Sequence, residues 1–111
     1  LTLDDLDAVC RALPAVTMVV QWGGSNVYKV GGKMFANADA DSVSLKVSEI
    51  AYEAYVSGGR GIRAPYTQPG SNWLNLRLAE QDSAEVAELL AASHAMMAAK
   101  LTKKARAELG L

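Results

Sequence analysis

The residues able to carry acid–base, nucleophilic or metal chemistry are few, beginning with one histidine and one cysteine. His94 directly follows Ser93 inside an apolar helical pattern. Successive helix positions diverge by about 100 degrees, so the pair cannot work as nucleophile and base. Cys10 also lies in an apolar helical pattern and reads as a buried structural thiol. A lone cysteine excludes an internal disulfide framework and a multi-thiolate zinc site. Asp4-Asp5-Asp7 and Asp39-Asp41 lack the glycine and glutamate of a calcium loop, and the first group reads as favourable negative charge at a helix N-terminus. Gly58-Gly59-Arg60-Gly61 lacks the Gly-Lys-Ser/Thr ending of a phosphate loop and follows a helix rather than opening one, so it reads as a turn. Met96-Met97 fits core packing. The expectation is no catalytic residue, no metal and no cofactor.

One constellation suits binding. Alternation in three strands sends Lys29, Lys46, Arg77 and Trp73 to the same side of a sheet, with Lys33 and the loop residues Arg60 and Arg63 at its margins. Cations around an exposed aromatic are what a phosphate backbone and a stacked base require. The same pattern also fits lysines that solvate an open face while Trp73 folds under the long loop that precedes it.

The elements that position these residues centre on Trp22 to Ala36. Val27–Val30 and Lys33–Ala36 are rich in β-branched, aromatic and apolar residues, and Gly31-Gly32 between them suits a type I′ turn. That turn predicts Val30 opposite Lys33, Lys29 opposite Met34 and Tyr28 opposite Phe35, with Tyr28, Val30 and Phe35 on the core side. Upstream, Thr2 and Asp5 resemble a capping box opening a helix that Pro14 ends, and Val16 to Trp22 favours a strand. Downstream, Ser42 to Val47 alternates with Val43, Leu45 and Val47 inward, leaving one face of the sheet wet. Ser48 can cap a short helix to Val56, with Ile50, Ala54 and Tyr55 facing the sheet. Gly58 to Asn72 is mostly loop, with a short strand near Ile62. Trp73 to Leu78 is the last strand, with Leu74, Leu76 and Leu78 inward. Asp82 and Glu85 form a second capping box, opening one long helix whose stripe runs from Val86 to Ala105. Lys100, Lys103, Lys104 and Arg106 crowd its C-terminal end, where the dipole favours cations. The reading is an α+β domain spanning residues 1–111. Helices pack in one layer on one face of a mainly antiparallel sheet, in the order α-β4-α-β-α with one extra short strand.

Bulk composition sets the outer bounds. Half of the 111 residues are hydrophobic and 21% are charged, as in ordinary globular domains. The net charge of −1 gives no overall basic field, so any binding of nucleic acid must come from a local patch. The longest apolar run, Leu89 to Ala99, contains Ser93 and His94 and falls short of the roughly 18 residues of a membrane span. A soluble, cytoplasmic protein with no membrane partner is expected. The chain begins at Leu1 without an initiator Met, as a trimmed sequence does, and a removed targeting segment is compatible with it.

Leu13-Pro14, Trp22-Gly23, the string Tyr28-Lys29-Val30-Gly31-Gly32-Lys33-Met34-Phe35-Ala36, Leu45-Lys46, Pro65-Tyr66, Trp73 and Ser93 together resemble the MmcQ/YjbR family, from Arg11 to the final helix. The resemblance implies a small, mostly bacterial, single-domain α+β protein, similar in fold to CyaY-like and secretion-chaperone-like proteins. It also implies DNA binding through a double-wing motif. The expected function is therefore a non-enzymatic module that binds DNA weakly and non-specifically through the open sheet face and the hairpin and loop wings. The alternative is a protein-interaction or chaperone-like adaptor using the same face, with a protein partner or a second copy as a homodimer.

Overall fold

The structure, a computed structural model, describes residues 1–111. In chain order the elements are α1 (Leu3–Ala12), β1 (Val16–Gln21), β2 (Ser25–Val30), β3 (Lys33–Ala38), β4 (Ser42–Lys46), α2 (Glu49–Ser57), β5 (Ile62–Arg63), β6 (Trp73–Arg77), a 3-10 turn at Leu78–Glu80, α3 (Ser83–Ala98) and α4 (Lys103–Glu108). The six strands form one antiparallel sheet in the order β1-β2-β3-β4-β6-β5. α3 lies across β2, β3 and β4, α1 packs beside it on β1, and the opposite face carries no helix. This is the expected α+β layering, with the short strand at Ile62–Arg63 present.

α1 starts where the sequence indicates. The Thr2 hydroxyl accepts from the Asp5 N–H, and the Asp5 carboxylate accepts from the Thr2 N–H, satisfying two donors that the helix cannot pair internally. The Thr2 hydrogen bonds hold the Asp5 carboxyl below the usual carboxylate range. Asp7, one turn on, does more than face the dipole. Its Oδ1 accepts from the Tyr28 hydroxyl at 2.7 Å, tying α1 to the central hairpin across the core.

Gly31 and Gly32 sit at φ +57° and +80° and close the β2–β3 hairpin as expected. Lys29 pairs with Met34 and Val30 with Lys33, but Tyr28 pairs with Ala36 rather than Phe35. The predicted register is therefore corrected by one residue, because Phe35 is an extra residue in β3 with no partner in β2. The bulge changes which side chains face inward. Phe35 and Ala36 are both buried, Asn37 goes to the open face and Ala38 returns to the core. Without it, strict alternation would drive Asn37 into the core and expose Ala36. Phe35 packs 6.4 Å from the Tyr28 ring and meets His94 of α3 edge-on at 5.3 Å. At the bulge the Phe35 carbonyl accepts from the buried Ser93 hydroxyl at 2.6 Å.

Three further expectations are corrected. α2 turns Ala51, Tyr52 and Tyr55 toward the core and leaves Ile50 and Ala54 exposed. Asp82 caps α3 through the Glu85 N–H, but the Glu85 carboxylate reaches to Arg60 and Tyr55 instead of closing a capping box. The long final helix is two helices. α3 ends at Ala98, and Thr102 caps α4 by accepting from the Ala105 N–H. Lys103 and Lys104 therefore open α4 rather than stabilising a helix C-terminus.

Replacing Ser93 by Ala removes the hydroxyl donor from the Phe35 carbonyl, which should lower unfolding free energy by about 1–3 kcal/mol. Urea denaturation followed by far-UV circular dichroism measures it. A loss near zero would mean that the bulge holds without this bond.

Candidate nucleic-acid interface

Neither Ser93 nor His94 is free for chemistry. Ser93 is committed to the Phe35 carbonyl, and His94 is buried with Nε2 2.7 Å from the Pro14 carbonyl oxygen, to which it donates. The two neighbours each anchor a distant piece of backbone to α3. Cys10 is fully buried, and burial pushes its thiol up to about 12, with the Asp7 charge adding to the rise. No group of three or more His, Cys, Asp or Glu side chains is placed to hold a metal ion.

The antiparallel topology gives the molecule two distinct ends. At the hairpin end lie the Gly31-Gly32 turn, the start of β1, the end of β4, the start of β6 and the C-terminus of α3. Leu101 packs against Gly31 so closely that a Cβ there would lie 2.6 Å from Leu101 Cδ1, which places the α3–α4 connector beside the hairpin. At the other end lie the β3–β4 turn, the end of β6 and the starts of α1 and α3. Lys29, Lys33, Lys46 and Lys100 belong to the hairpin end, and Lys103 and Lys104 open α4 after the Leu101 connector. Glu49 opens α2 at the same end. Asp4, Asp5, Asp39, Asp41, Glu80, Asp82 and Glu85 gather at the far end, around a 990 Å³ depression whose cations are Arg60 and Arg77. The net charge of −1 conceals this separation. The two ion pairs, Arg11–Asp7 at 2.8 Å and Arg60–Glu85 at 2.7 Å, both use arginines. No lysine is paired.

The seven sequence-predicted residues separate accordingly. Lys29 and Lys46 share the helix-free face with Trp73. Lys29 lies directly across from Met34, and Lys46 directly across from Trp73. Lys46 donates to the Ser71 carbonyl, and burial, followed by repulsion from Lys100, lowers its pKa. Lys33 flanks the hairpin turn. Arg77 projects from the same face but at the far end, opposite Ser42, about 13 Å along the strands from Trp73. Arg63 lies opposite Leu74 and so on the helix side of the sheet edge. Arg60 grips both oxygens of Glu85 and stacks 4.6 Å over the Tyr55 ring, which raises its pKa and lowers that of Glu85. The structure thus brings together Lys29, Lys46 and Trp73 on the helix-free face, leaves Lys33 beside the turn on the side of its partner Val30, and separates Arg60, Arg63 and Arg77 from them. Sequence reasoning assigned Lys100, Lys103 and Lys104 to a helix dipole, because the break at Ala99–Thr102 was not apparent.

The helix-free face is less open than alternation implies. The 64–72 loop bends back over β4 and β6, held by the Ala64 N–H to the Trp73 carbonyl and the Val47 N–H to the Asn72 carbonyl, and Ser44 beneath it is only 6% exposed. Beside this loop a groove of about 660 Å³ crosses the sheet. Its rim carries Trp22, Tyr66, Trp73 and Met34, its floor is Asn37, Ser42, Ser44 and Asn75, and the Asp39 carboxylate lines its far end. The Asn75 amide donates to both Ser42 and Ser44, at 3.2 and 3.0 Å. Trp22 and Tyr66 have left-handed backbones, at φ +53° and +64°, as does Asn72 just before Trp73, at +59°. For a residue with a large side chain this conformation costs about 1–2 kcal/mol. Yet both aromatic rings are exposed, Trp22 at 65% and Tyr66 fully, so no core contact offsets that cost. Trp22 and Tyr66 were not among the residues expected to bind.

A thiol held near 12 should resist alkylation by iodoacetamide through pH 9 in the folded protein and react once urea unfolds it. The unfolded chain gives up the proton first, so this group also removes stability as pH rises above about 8.5. Labelling of the native protein as fast as of the unfolded one would place Cys10 in contact with solvent.

A family model described as YjbR matches residues 11–96. Among solved structures, the crystal structure of the Deinococcus radiodurans protein DR2400, with a DUF419 domain, aligns with a TM-score of 0.82 at 30% identity, covering 99% of this chain and 88% of that one. No curated protein matches. The match falls on the elements already described, from the end of α1 through the bulged hairpin to the Ser93–His94 anchor in α3. The chain belongs to the MmcQ/YjbR family.

Proposed function

We propose that this protein is a non-enzymatic binding module that holds nucleic acid by its phosphates, using the hairpin end of the molecule. The observation that carries the reading is the set of lysines around the Gly31-Gly32 hairpin and the Leu101 connector, Lys29, Lys33, Lys46 and Lys100, none of them ion-paired. Lys46 and Lys100 are near enough to repel each other, and a phosphate between lysines relieves like-charge repulsion while releasing counterions. Arg60 and Arg77 stand apart from this surface, beside the carboxylates that would repel a phosphate backbone. The Gly31-Gly32 hairpin is the wing that the family resemblance implies, and the connector supplies a second basic element beside it.

A protein-binding adaptor remains the second reading, favoured by the exposed aromatic rim at Trp22 and Tyr66. The two differ in their response to salt. Three to six neutralised phosphates predict a slope of log affinity against log salt between about −2.7 and −5.4, with a non-specific Kd near 10⁻⁴ to 10⁻⁶ M at physiological salt. Replacing Lys29, Lys33 and Lys100 together by Ala should reduce that slope by about 2.7, while Arg77→Ala leaves it unchanged. Fluorescence anisotropy of a labelled DNA duplex at several salt concentrations gives both values. No binding at low salt, or an equal slope for the triple variant, would sink the nucleic-acid reading in favour of the adaptor.

A further inference from the structure

We infer that the groove on the helix-free face is a nucleobase site, which takes the flat face of an unpaired base between its aromatic residues while the lysines at its hairpin end hold the attached phosphate. The inference rests on the nucleic-acid reading above and adds to it what the protein does with the base. Three features carry it.

The first is the strained presentation of the rim. Trp22 and Tyr66 come from separate loops, 22–24 and 64–72, yet both have left-handed backbones that disfavour large side chains, and both rings face solvent over one cavity. An exposed aromatic held in such a conformation by two independent loops is a binding surface prepared in advance. The second is the chemistry of the floor. Asn37 and Asn75 offer amide groups, Ser42 and Ser44 offer hydroxyls, and Asp39 adds the one carboxylate of the lining, so the groove is rich in donors and acceptors. Such groups match the hydrogen-bonding edge of a base whose flat faces stack on tryptophan or tyrosine. The third is the position of the cations. Lys46 is the direct cross-strand neighbour of Trp73, and Lys29 that of Met34, so positive charge adjoins the aromatic wall at one end only. A sugar ring or a proline-rich peptide uses aromatic walls equally well but has no need of that charge, and a nucleotide does.

A base paired inside a duplex cannot enter the groove, so the site favours single strands, and a free nucleotide shares the same chemistry. Trp22 and Trp73 are the only tryptophans in the chain and both line the groove, so their emission reports occupancy directly. The experiment titrates the protein at low salt with a ten-nucleotide deoxyadenosine strand, its duplex with deoxythymidine, adenosine monophosphate, and a deca-proline peptide. Tryptophan emission and fluorescence anisotropy are both read. The strand should quench the tryptophans and the duplex should bind without quenching. Trp22→Gly and Tyr66→Gly, which also relieve the backbone strain, should weaken strand binding at least about fivefold, leave duplex binding unchanged and leave the melting temperature unchanged or raised. Quenching by adenosine monophosphate comparable to that by the strand would assign the site to free nucleotides within the same chemistry. Equal strand affinity in both glycine variants would overturn the groove while leaving the phosphate surface standing, and so would quenching by the peptide alone. Loss of all binding in the wild-type protein would remove both.

Discussion

One buried hydrogen bond, from the Ser93 hydroxyl of α3 to the Phe35 carbonyl of β3, ties the central helix to the bulged strand on which the layout of the sheet turns. β3 carries one more residue than its neighbour can pair with, and that surplus moves the inside–outside alternation of the strand by one position. Phe35 and Ala36 can then both be buried, while Met34 and Asn37 both face the groove. The Ser93 hydroxyl on the overlying helix is small enough to reach the Phe35 carbonyl beside the Phe35 ring. His94 extends the arrangement by packing on that ring and holding the Pro14 carbonyl, so adjacent residues fix the central hairpin and the α1–β1 connection to the same helix. A pair that invites a catalytic reading is a structural anchor.

Charge separation follows from how helices begin and end. α1 and α3 both start at the far end of the sheet, and their first turns recruit Asp4, Asp5, Asp82 and Glu85 because unpaired N–H groups and the positive end of the dipole favour carboxylates. The β3–β4 turn adds Asp39, whose carboxylate accepts from the Asp41 and Ser42 N–H groups. The chain reverses at the opposite end through two glycines that bear no charge, and its lysines flank that turn and follow α3. Local capping and turn chemistry, repeated in elements that start together, thereby gathers carboxylates at one end of a nearly neutral molecule.

Much of this was legible in sequence. The alternation of β4 and β6, the Gly31-Gly32 turn and the Thr2 cap depend on neighbours within a few residues, and each formed as its pattern indicates. The bulge was not legible, because Met34-Phe35-Ala36 reads as ordinary alternation until Asn37 must be kept out of the core. The break after Ala98 is hidden by an apolar stripe that continues to Leu101 and Ala105, although Thr102 is an N-cap residue type that could expose it. Arg60 appeared as a loop cation, since nothing local announces that Glu85, 25 residues away, would claim it. Trp22 reads as the end of a strand and Tyr66 as part of a loop, and nothing local shows that the two segments place both rings over one groove.

The central claim is that ligand contacts collect at the hairpin end and in the adjoining groove. The most direct measurement is a map of amide and indole nuclear magnetic resonance shifts on adding a short single-stranded oligonucleotide. The account predicts shifts at the indole N–H groups of Trp22 and Trp73 and at the amides around Lys29, Gly31, Lys46 and Lys100, with Arg77, Glu80 and Glu85 unmoved. Shifts centred on Arg60 and Arg77, with both indoles silent, would contradict it.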